Sequence, residues 1–277
     1  MTAVRIGAVP FLNARPLVHG LRTNPDYTLS FDAPAPLGEK LRLGEVDVGL
    51  VPVVEYLRGV GDWLLPGICI ASDGPVRTVK LYSRVPLPKL TAVAVDSGSR
   101  TSVALLRILL AECYEVTPDF HTHRPDLAAM LSAHEAALLI GDAAFTDSGA
   151  PYVWDLGQGW KDLVNQPFVY ATWILREGVN AGRVAGWLSR AMREGQAHLD
   201  DIARAAAGTA NQDETTLLHY LRHSLHYELG ERELRGLETF QKLCLRYNIV
   251  HSARELRFAP RAPSLAAESP AVVKPTA

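Results

Sequence analysis

The sequence predicts an α/β protein of two lobes, each built on an open mixed sheet flanked by helices, with a ligand cleft between them. Short apolar runs alternate with helical patterns from residue 4 to about residue 57, which is the βαβ order of parallel strands. The same order begins again at Leu90 and continues to Ile140. From about residue 183 only helical patterns follow. Two such sheets carry their strand ends and helix starts at one edge, and they form a cleft when these edges face each other.

The first unit contains strand-like runs separated by short helical patterns. These runs are residues 4–9, 27–31, 47–52, 68–72 and 77–83. Helices are predicted at residues 36–43 and 53–57, and Pro52 is suited to opening the second of them. A further turn into a helix follows the first strand and runs to about Leu21.

The second unit repeats this order with different residues. Its strands are predicted at residues 91–95, near Val116 and at 136–140, and its helices at 101–112 and 125–133. Later elements of the chain are strands at residues 152–156 and 168–175, followed by helices at 183–207, 214–227 and 231–248. We expect the C-terminal helices to pack on the first lobe, because the last of them has an apolar stripe at helical spacing.

These elements predict a discontinuous first lobe, residues 1–86 and 174–258, and a second lobe at residues 87–173. We expect the two lobes to hinge near residues 84–89 and 171–176. Residues 259–277 are rich in Pro, Ala and Ser and lack periodicity, which predicts an extended tail outside the core.

Charge and composition narrow the possible partners. The chain has 28 Lys and Arg against 30 Asp and Glu among 277 residues, so no global field favours nucleic acid or an anionic membrane. Apolar runs are too short to span a bilayer, and the first residues lack the pattern of an export signal, so a cytoplasmic protein is expected. Three widely spaced cysteines predict reduced, buried thiols. The oligomeric state is not predicted.

The segment after the strand ending at Val95 predicts an anion site. A Gly/Ser turn leads there into a helix whose first N–H groups have no partner within the helix. Ser99 is placed to cap this helix, Thr101 and Ser102 add hydroxyl donors, and Arg100 adds a positive charge. The alternative is that Ser99 only caps a buried helix.

Other candidates stand at neighbouring strand ends. Asn13 follows the first strand, and its amide is suited either to binding a ligand or to capping a helix. Asp142 follows the strand that ends at Ile140, and it is interpreted as a helix cap in preference to a general base, because a bare carboxylate is unfavourable beside an anion. His121 and His123 alternate without a third ligand nearby, so they predict a polar loop, and no metal site is predicted.

Four motifs in a fixed order carry a resemblance to a known family. They are Phe11-Leu12-Asn13-Ala14-Arg15-Pro16-Leu17, Asp47-Val48-Gly49-Leu50-Val51-Pro52, Ser99-Arg100-Thr101-Ser102-Val103-Ala104-Leu105-Leu106 and Leu139-Ile140-Gly141-Asp142-Ala143-Ala144. Over residues 4–250 the chain resembles the chorismate dehydratases of the futalosine route to menaquinone. The resemblance implies a two-lobed fold similar to type II periplasmic solute-binding proteins. It also implies loss of water from chorismate to give 3-[(1-carboxyvinyl)oxy]benzoate, with no cofactor.

The resemblance also implies which residues form the site. Asn13 is expected to be catalytic. The residues expected to bind substrate are Thr78, Ser99, Arg100, Thr101, Ser102, Gly141 and Asp142. Thr78 stands where the family is expected to have serine, and it keeps a hydroxyl.

The reaction suits these residue types. Donors fixed on the ring carboxylate of chorismate stabilise charge that develops when the C3 proton leaves. The enolpyruvyl carboxylate of the substrate is tethered at that same carbon, so we hypothesise that it accepts the proton, with Asn13 orienting this carboxylate or the leaving hydroxyl. The rival hypothesis is a non-catalytic solute- or effector-binding protein for a small carboxylate, because a fold alone does not separate binding from turnover.

Overall fold

The computed structural model has the expected two-sheet α/β architecture, and it describes residues 3–21, 24–146, 149–210 and 212–260. In chain order, the strands within these ranges are β1 (Val4–Ala8), β2 (Tyr27–Phe31), β3 (Val48–Pro52), β4 (Trp63–Ser72), β5 (Val79–Ser83), β6 (Ala92–Asp96), β7 (Asp119–His123), β8 (Ala136–Ile140), β9 (Tyr152–Asp155) and β10 (Phe168–Leu175).

The helices follow most of the predicted pattern. They are α1 (Arg15–Val18), α2 (Pro34–Leu43), α3 (Val53–Leu57), α4 (Thr101–Tyr114), α5 (Leu127–Ala133), α6 (Leu156–Val164), α7 (Ala181–Ala197), α8 (Leu199–Ala210), α9 (Glu214–His219) and α10 (Glu231–Arg246). Helix α6 was not predicted; the Asp155 side chain caps it by accepting from the N–H groups of Gly157 and Gln158. The helix predicted at 183–207 is two helices, which meet at His198.

Both sheets have the same plan. The strand order is β2-β1-β3-β10-β4 in the first and β7-β6-β8-β5-β9 in the second. In each sheet three consecutive parallel strands are joined by helices, and one antiparallel strand, β10 or β5, lies beside them. The loose correspondence between the two halves that the sequence suggests is therefore an architectural repeat.

The predicted lobe boundaries at 86/87 and 173/174 differ from the places where the chain passes between the sheets. Strand β5 was expected in the first lobe, but it pairs with β8 and β9 in the second sheet. Strand β10 pairs along its length with β3 and β4 in the first sheet. The chain thus crosses at residues 73–78 and after α6, and the hinges predicted at 84–89 and 171–176 lie away from both crossings. Both strands are short apolar runs, and an apolar run does not specify which sheet it will join.

The C-terminal helices and the segment after them cover the first sheet. Helix α7 packs on α1 and β4, and α10 packs on β10. The Arg254 guanidinium donates to the carbonyl oxygens of Tyr56, Val60 and Gly61 at 2.6, 3.2 and 2.5 Å. Ala259, predicted as the first residue of an extended tail, is buried, and its N–H donates to the Leu64 carbonyl at 2.9 Å. Residues 261–277 of that predicted tail lie outside the described residues.

Two further sequence expectations can be compared with the structure. None of the helices in the described ranges combines the length and hydrophobicity needed to cross a bilayer. All three cysteines are free thiols, and Cys69 and Cys244 are buried as expected. Cys113 is exposed instead, because it lies on the outer side of α4.

Candidate active site between the lobes

A cavity lies where the strand ends of the two sheets meet. Its walls come from the segments that follow β1, β3, β6 and β8, together with residues near the two crossings. The lining includes the residues Phe11, Asn13, Thr78, Arg100, Thr101, Ser102, Gly141 and Tyr170.

The start of α4 forms one wall of the cavity. Helix α4 begins at Thr101, and the residue at its N-cap position is Arg100, whose side chain makes no capping hydrogen bond. The prediction that Ser99 caps this helix is therefore wrong, because Ser99 lies one residue before the N-cap position. Its hydroxyl is buried without a hydrogen-bond partner among the described residues, and it does not line the cavity.

Thr101 joins the two lobes. Its Oγ1 accepts a hydrogen bond of 3.2 Å from the N–H of Val54, at the start of α3 in the first lobe. A threonine hydroxyl has one proton and two lone pairs, so accepting this bond leaves the O–H proton available for a ligand. The contact orients the hydroxyl while keeping its donor capacity.

Asp142 makes a second contact between the lobes. Its two carboxylate oxygens accept from the Leu12 N–H at 3.2 and 3.3 Å, although Leu12 is 130 residues away in the chain. Burial raises the pKa of the Asp142 carboxyl, and the Leu12 N–H and the charge of Arg15 oppose this rise. Asp142 does not line the cavity. Its side chain makes no capping bond on the short turn Gly141–Phe145, so the predicted helix cap is wrong.

Gly141 allows the first lobe to approach closely. Its φ is +62°, a conformation that favours glycine. A Cβ placed there would lie 3.0 Å from Cδ1 of the Phe11 ring. The site therefore needs glycine at this position both for the backbone and for contact with Phe11.

Thr78, which lines the cavity beside Asn13, is hydrogen-bonded to a buried tyrosine of the C-terminal helices. The hydroxyl of Tyr220 lies 2.8 Å from Oγ1 of Thr78. The Thr78 hydroxyl donates in turn to the Val76 carbonyl at 3.5 Å. Oδ1 of Asn13 is buried with no hydrogen-bond partner in the described part of the chain.

Charge in the cavity is positive. Arg100 is the only charged residue among the described residues of the lining. The two tyrosines near the cavity stay protonated, because burial raises the pKa of Tyr170 and of Tyr220 above the usual value. This arrangement suits an anionic ligand, because a formal charge and the start of a helix face the same space.

The histidine pair of the second lobe lies away from the cavity. His121 and His123 are on β7, so the loop predicted for them is a strand. A third histidine, His134, stacks on the ring of His121 and places its Nε2 2.9 Å from Nε2 of His123. Within the described ranges no group of three or more suitable side chains is arranged to hold a metal ion.

Comparison with known proteins identifies the family. A family model described as menaquinone biosynthesis matches residues 4–246. The chain belongs to this menaquinone biosynthesis family. One relative, the chorismate dehydratase of Thermus thermophilus, is 33% identical over 255 residues, which is 85% of this chain and 93% of the relative.

Solved structures place the family within a broader fold. A protein of Archaeoglobus fulgidus superimposes with a TM-score of 0.69 at 17% identity, covering 90% of this chain and 99% of that protein. The periplasmic aliphatic sulphonate-binding protein SsuA of Escherichia coli superimposes with a TM-score of 0.62 at 18% identity, covering 95% of this chain and 93% of that protein. At these identities the likeness concerns the fold alone, and it confirms the two-lobed binding-protein architecture.

The predicted site residues divide into three groups. Six of the eight line the cavity: Asn13, Thr78, Arg100, Thr101, Ser102 and Gly141. Asp142 lies behind the wall as a contact between the lobes, and Ser99 lies outside the lining. The sequence reasoning assigned no role to Phe11, Tyr170 or Tyr220. Phe11 opens the motif that contains Asn13, and Tyr170 directly follows Pro167-Phe168-Val169, which also belongs to the resemblance, whereas Tyr220 is near no such motif.

Proposed function

We propose that this family member is a chorismate dehydratase, a hydro-lyase that converts chorismate into 3-[(1-carboxyvinyl)oxy]benzoate and water in the futalosine pathway to menaquinone. The observation that carries the proposal is a positively charged cavity that holds Asn13 opposite the start of α4. The identity to a chorismate dehydratase over most of both chains supports the same assignment. The cytoplasmic location expected from the sequence stays a prediction.

The α4 side of the cavity is suited to a carboxylate of chorismate. Arg100, the hydroxyls of Thr101 and Ser102 and the first N–H groups of the helix can all donate to one anion. Donors fixed on the ring carboxylate stabilise the negative charge that spreads onto it as the C3 proton leaves. The site therefore binds the substrate and also stabilises the transition state.

The proton acceptor is best supplied by the substrate. The described residues of the lining include no Asp, Glu, His, Lys or Cys, and the raised pKa of Tyr170 keeps its phenol protonated. Asp142 is held by the Leu12 N–H and does not line the cavity. We therefore favour the enolpyruvyl carboxylate as the base. It takes the C3 proton, the C4–O bond breaks as the ring becomes aromatic, and the proton leaves with the hydroxyl as water.

The direct test is to incubate the purified protein with chorismate and to follow loss of one water by mass spectrometry. The Asn13→Ala variant should bind chorismate in a calorimetric titration and show almost no turnover, because orientation matters most in the transition state. Wild-type protein that binds chorismate without converting it would instead support the rival function, a binding protein for a small carboxylate.

A further inference from the structure

We infer that Asp155 and Gly157, at the start of α6, are positioning residues for the substrate site. They fix residues 73–78, the first crossing between the lobes, and this segment carries Val76 and Thr78 into the cavity wall. Neither Asp155 nor Gly157 lines the cavity, so the inference goes beyond the residues assigned to the site. Its effect on chorismate rests on the proposed function.

The carboxylate of Asp155 binds two segments at once. Its Oδ1 accepts from the N–H groups of Gly157 and Gln158 at 2.9 and 3.2 Å, which caps α6. The same oxygen accepts from the Val76 N–H at 3.0 Å, and Oδ2 accepts from the Arg77 N–H at 2.6 Å. A helix cap needs only the first two bonds, so the two bonds to the first crossing are a separate role of this carboxylate.

The first crossing has a backbone that needs such support. The φ angle is +120° at Gly74 and +66° at Arg77. The left-handed region is unfavourable for a residue other than glycine, so Arg77 must be held there by its surroundings. The bonds from Asp155 to the N–H groups of Val76 and Arg77 do this directly before Thr78. They therefore fix the turn that places Val76 and Thr78 in the cavity wall.

Gly157 allows α6 to approach the same wall closely. A Cβ at this position would lie 2.5 Å from the Gly74 carbonyl oxygen and 2.8 Å from both Oγ of Ser72 and the Tyr170 hydroxyl. Tyr170 lines the cavity, and its hydroxyl lies 3.1 Å from Oγ of Ser72. The Ser72 hydroxyl donates in turn to the Gly74 carbonyl at 3.0 Å. A side chain at residue 157 would therefore displace both the first crossing and Tyr170.

Ion pairs hold the other end of the first crossing. Nζ of Lys161, on α6, lies 2.7 Å from Oδ1 of Asp73, and the Arg232 guanidinium of α10 lies 2.8 Å from Oδ2. Helix α6 thus contacts the first crossing at Asp73 as well as at residues 76 and 77. The position of this part of the wall therefore depends on where α6 begins.

The first test weakens the hold on the first crossing and keeps the helix cap. Asp155→Asn retains Oδ1, which accepts from the Val76 N–H and caps α6, but it places an amide NH₂ group against the Arg77 N–H, where two donors repel. KM for chorismate should rise about tenfold with kcat within about threefold, because fewer molecules have the wall in its binding-competent position. Asp213→Asn is the matched control, because Asp213 caps α9 through bonds to Thr216 of the same helix, and its KM should stay at the wild-type value.

The second test uses two glycines of α6. Gly157→Ala should raise KM at least tenfold, because the new Cβ displaces two parts of the wall. Gly159→Ala is the control: its Cβ would lie 2.8 Å from Cζ2 of Trp154, which is outside the cavity lining, so it should lower stability and leave KM unchanged. A wild-type KM in folded Asp155→Asn or Gly157→Ala overturns the inference, and so does an equal rise in either control. If Gly157→Ala does not fold, Asp155→Asn alone decides.

A readout without substrate separates this inference from the proposed function. The Arg77 N–H should exchange slowly with solvent in wild-type protein and faster in Asp155→Asn, while the N–H groups of Gly157 and Gln158 stay slow because the cap is kept. Equal exchange of the Arg77 N–H in both proteins would refute the positioning role. The expected difference in a protein that does not convert chorismate would refute the proposed function and support the hold of Asp155 on the first crossing.

Discussion

Replacing Asp142 tests how the two lobes are held together around the site. In the structure one N–H, that of Leu12, is shared by both carboxylate oxygens at 3.2 and 3.3 Å. These distances exceed the roughly 2.7–2.9 Å of a strong charge-assisted bond, so the lower end of the range for bonds to charged groups applies, about 1.5 kcal/mol. Asp142→Ala should therefore weaken closure of the lobes by roughly tenfold.

The expected kinetic result is a change in KM. Asp142→Ala should raise KM for chorismate about tenfold and leave kcat nearly unchanged, because the fraction of binding-competent molecules falls while no group that faces the substrate is lost. Asp142→Asn keeps a carbonyl oxygen that accepts from Leu12, so its KM should stay within about threefold of wild type. Initial rates of product formation over a range of chorismate concentrations give both constants.

A matched control separates this effect from loss of stability in the second lobe. Asp126 caps α5 by accepting from the Ala129 N–H, a partner in its own lobe. Asp126→Ala should lower stability by about 1 kcal/mol and leave KM unchanged. A wild-type KM in Asp142→Ala would refute the reasoning. Loss of turnover in a folded, substrate-binding Asp142→Asn would make Asp142 the base and exclude the substrate-assisted mechanism.

Three further predictions concern the anion site, the packing and the pH dependence. Replacing both Thr101 and Ser102 by alanine should weaken chorismate binding, measured by calorimetry, by roughly 1 kcal/mol or more per hydroxyl. The loss of Thr101 should cost more binding free energy than the loss of Ser102, because its contact with the other lobe is also lost. Unchanged KM and kcat in the double variant would contradict the assignment. Gly195→Ala should lower the free energy of unfolding in urea by about 3 kcal/mol, because the new Cβ would overlap the carbonyl oxygen of Pro16 in α1. Gly186→Ala in the same helix is the control: its Cβ meets nothing within 4 Å, so the substitution should be neutral or stabilising. A raised pKa means that the folded protein binds the Asp142 proton more tightly than the unfolded chain, so this carboxyl lowers stability as pH rises above its usual value of 3.8. The stability of Asp142→Asn relative to wild type should therefore be greater at pH 7 than at pH 4, and an equal difference at both would contradict the shift.

Local patterns in the sequence were enough to predict the two α/β units and four residues that line the cavity, Asn13, Arg100, Thr101 and Ser102. Thr78 and Gly141 were predicted only from the resemblance to a known family. Alternating apolar runs mark strands, and the turn before Thr101 marks the start of a helix whose N–H groups must find partners. Asn13, Arg100, Thr101, Ser102 and Gly141 line one cavity because each follows a parallel strand, and the ends of parallel strands meet at the same sheet edge. These features depend on residues close together in the chain.

Tertiary structure decided which sheet each strand joins and which distant residues make hydrogen bonds around the cavity. Strands β5 and β10 are apolar runs whose sheet is chosen by long-range packing, so their residues alone do not reveal it. Tyr220 stands 142 residues after Thr78, and no local pattern connects the two. The role of Asp142 was also hidden, since its partner is a backbone N–H in the other lobe. Hydrogen bonds between distant segments depend on the packed arrangement of both lobes, whereas periodicity reports only which face of each element is buried.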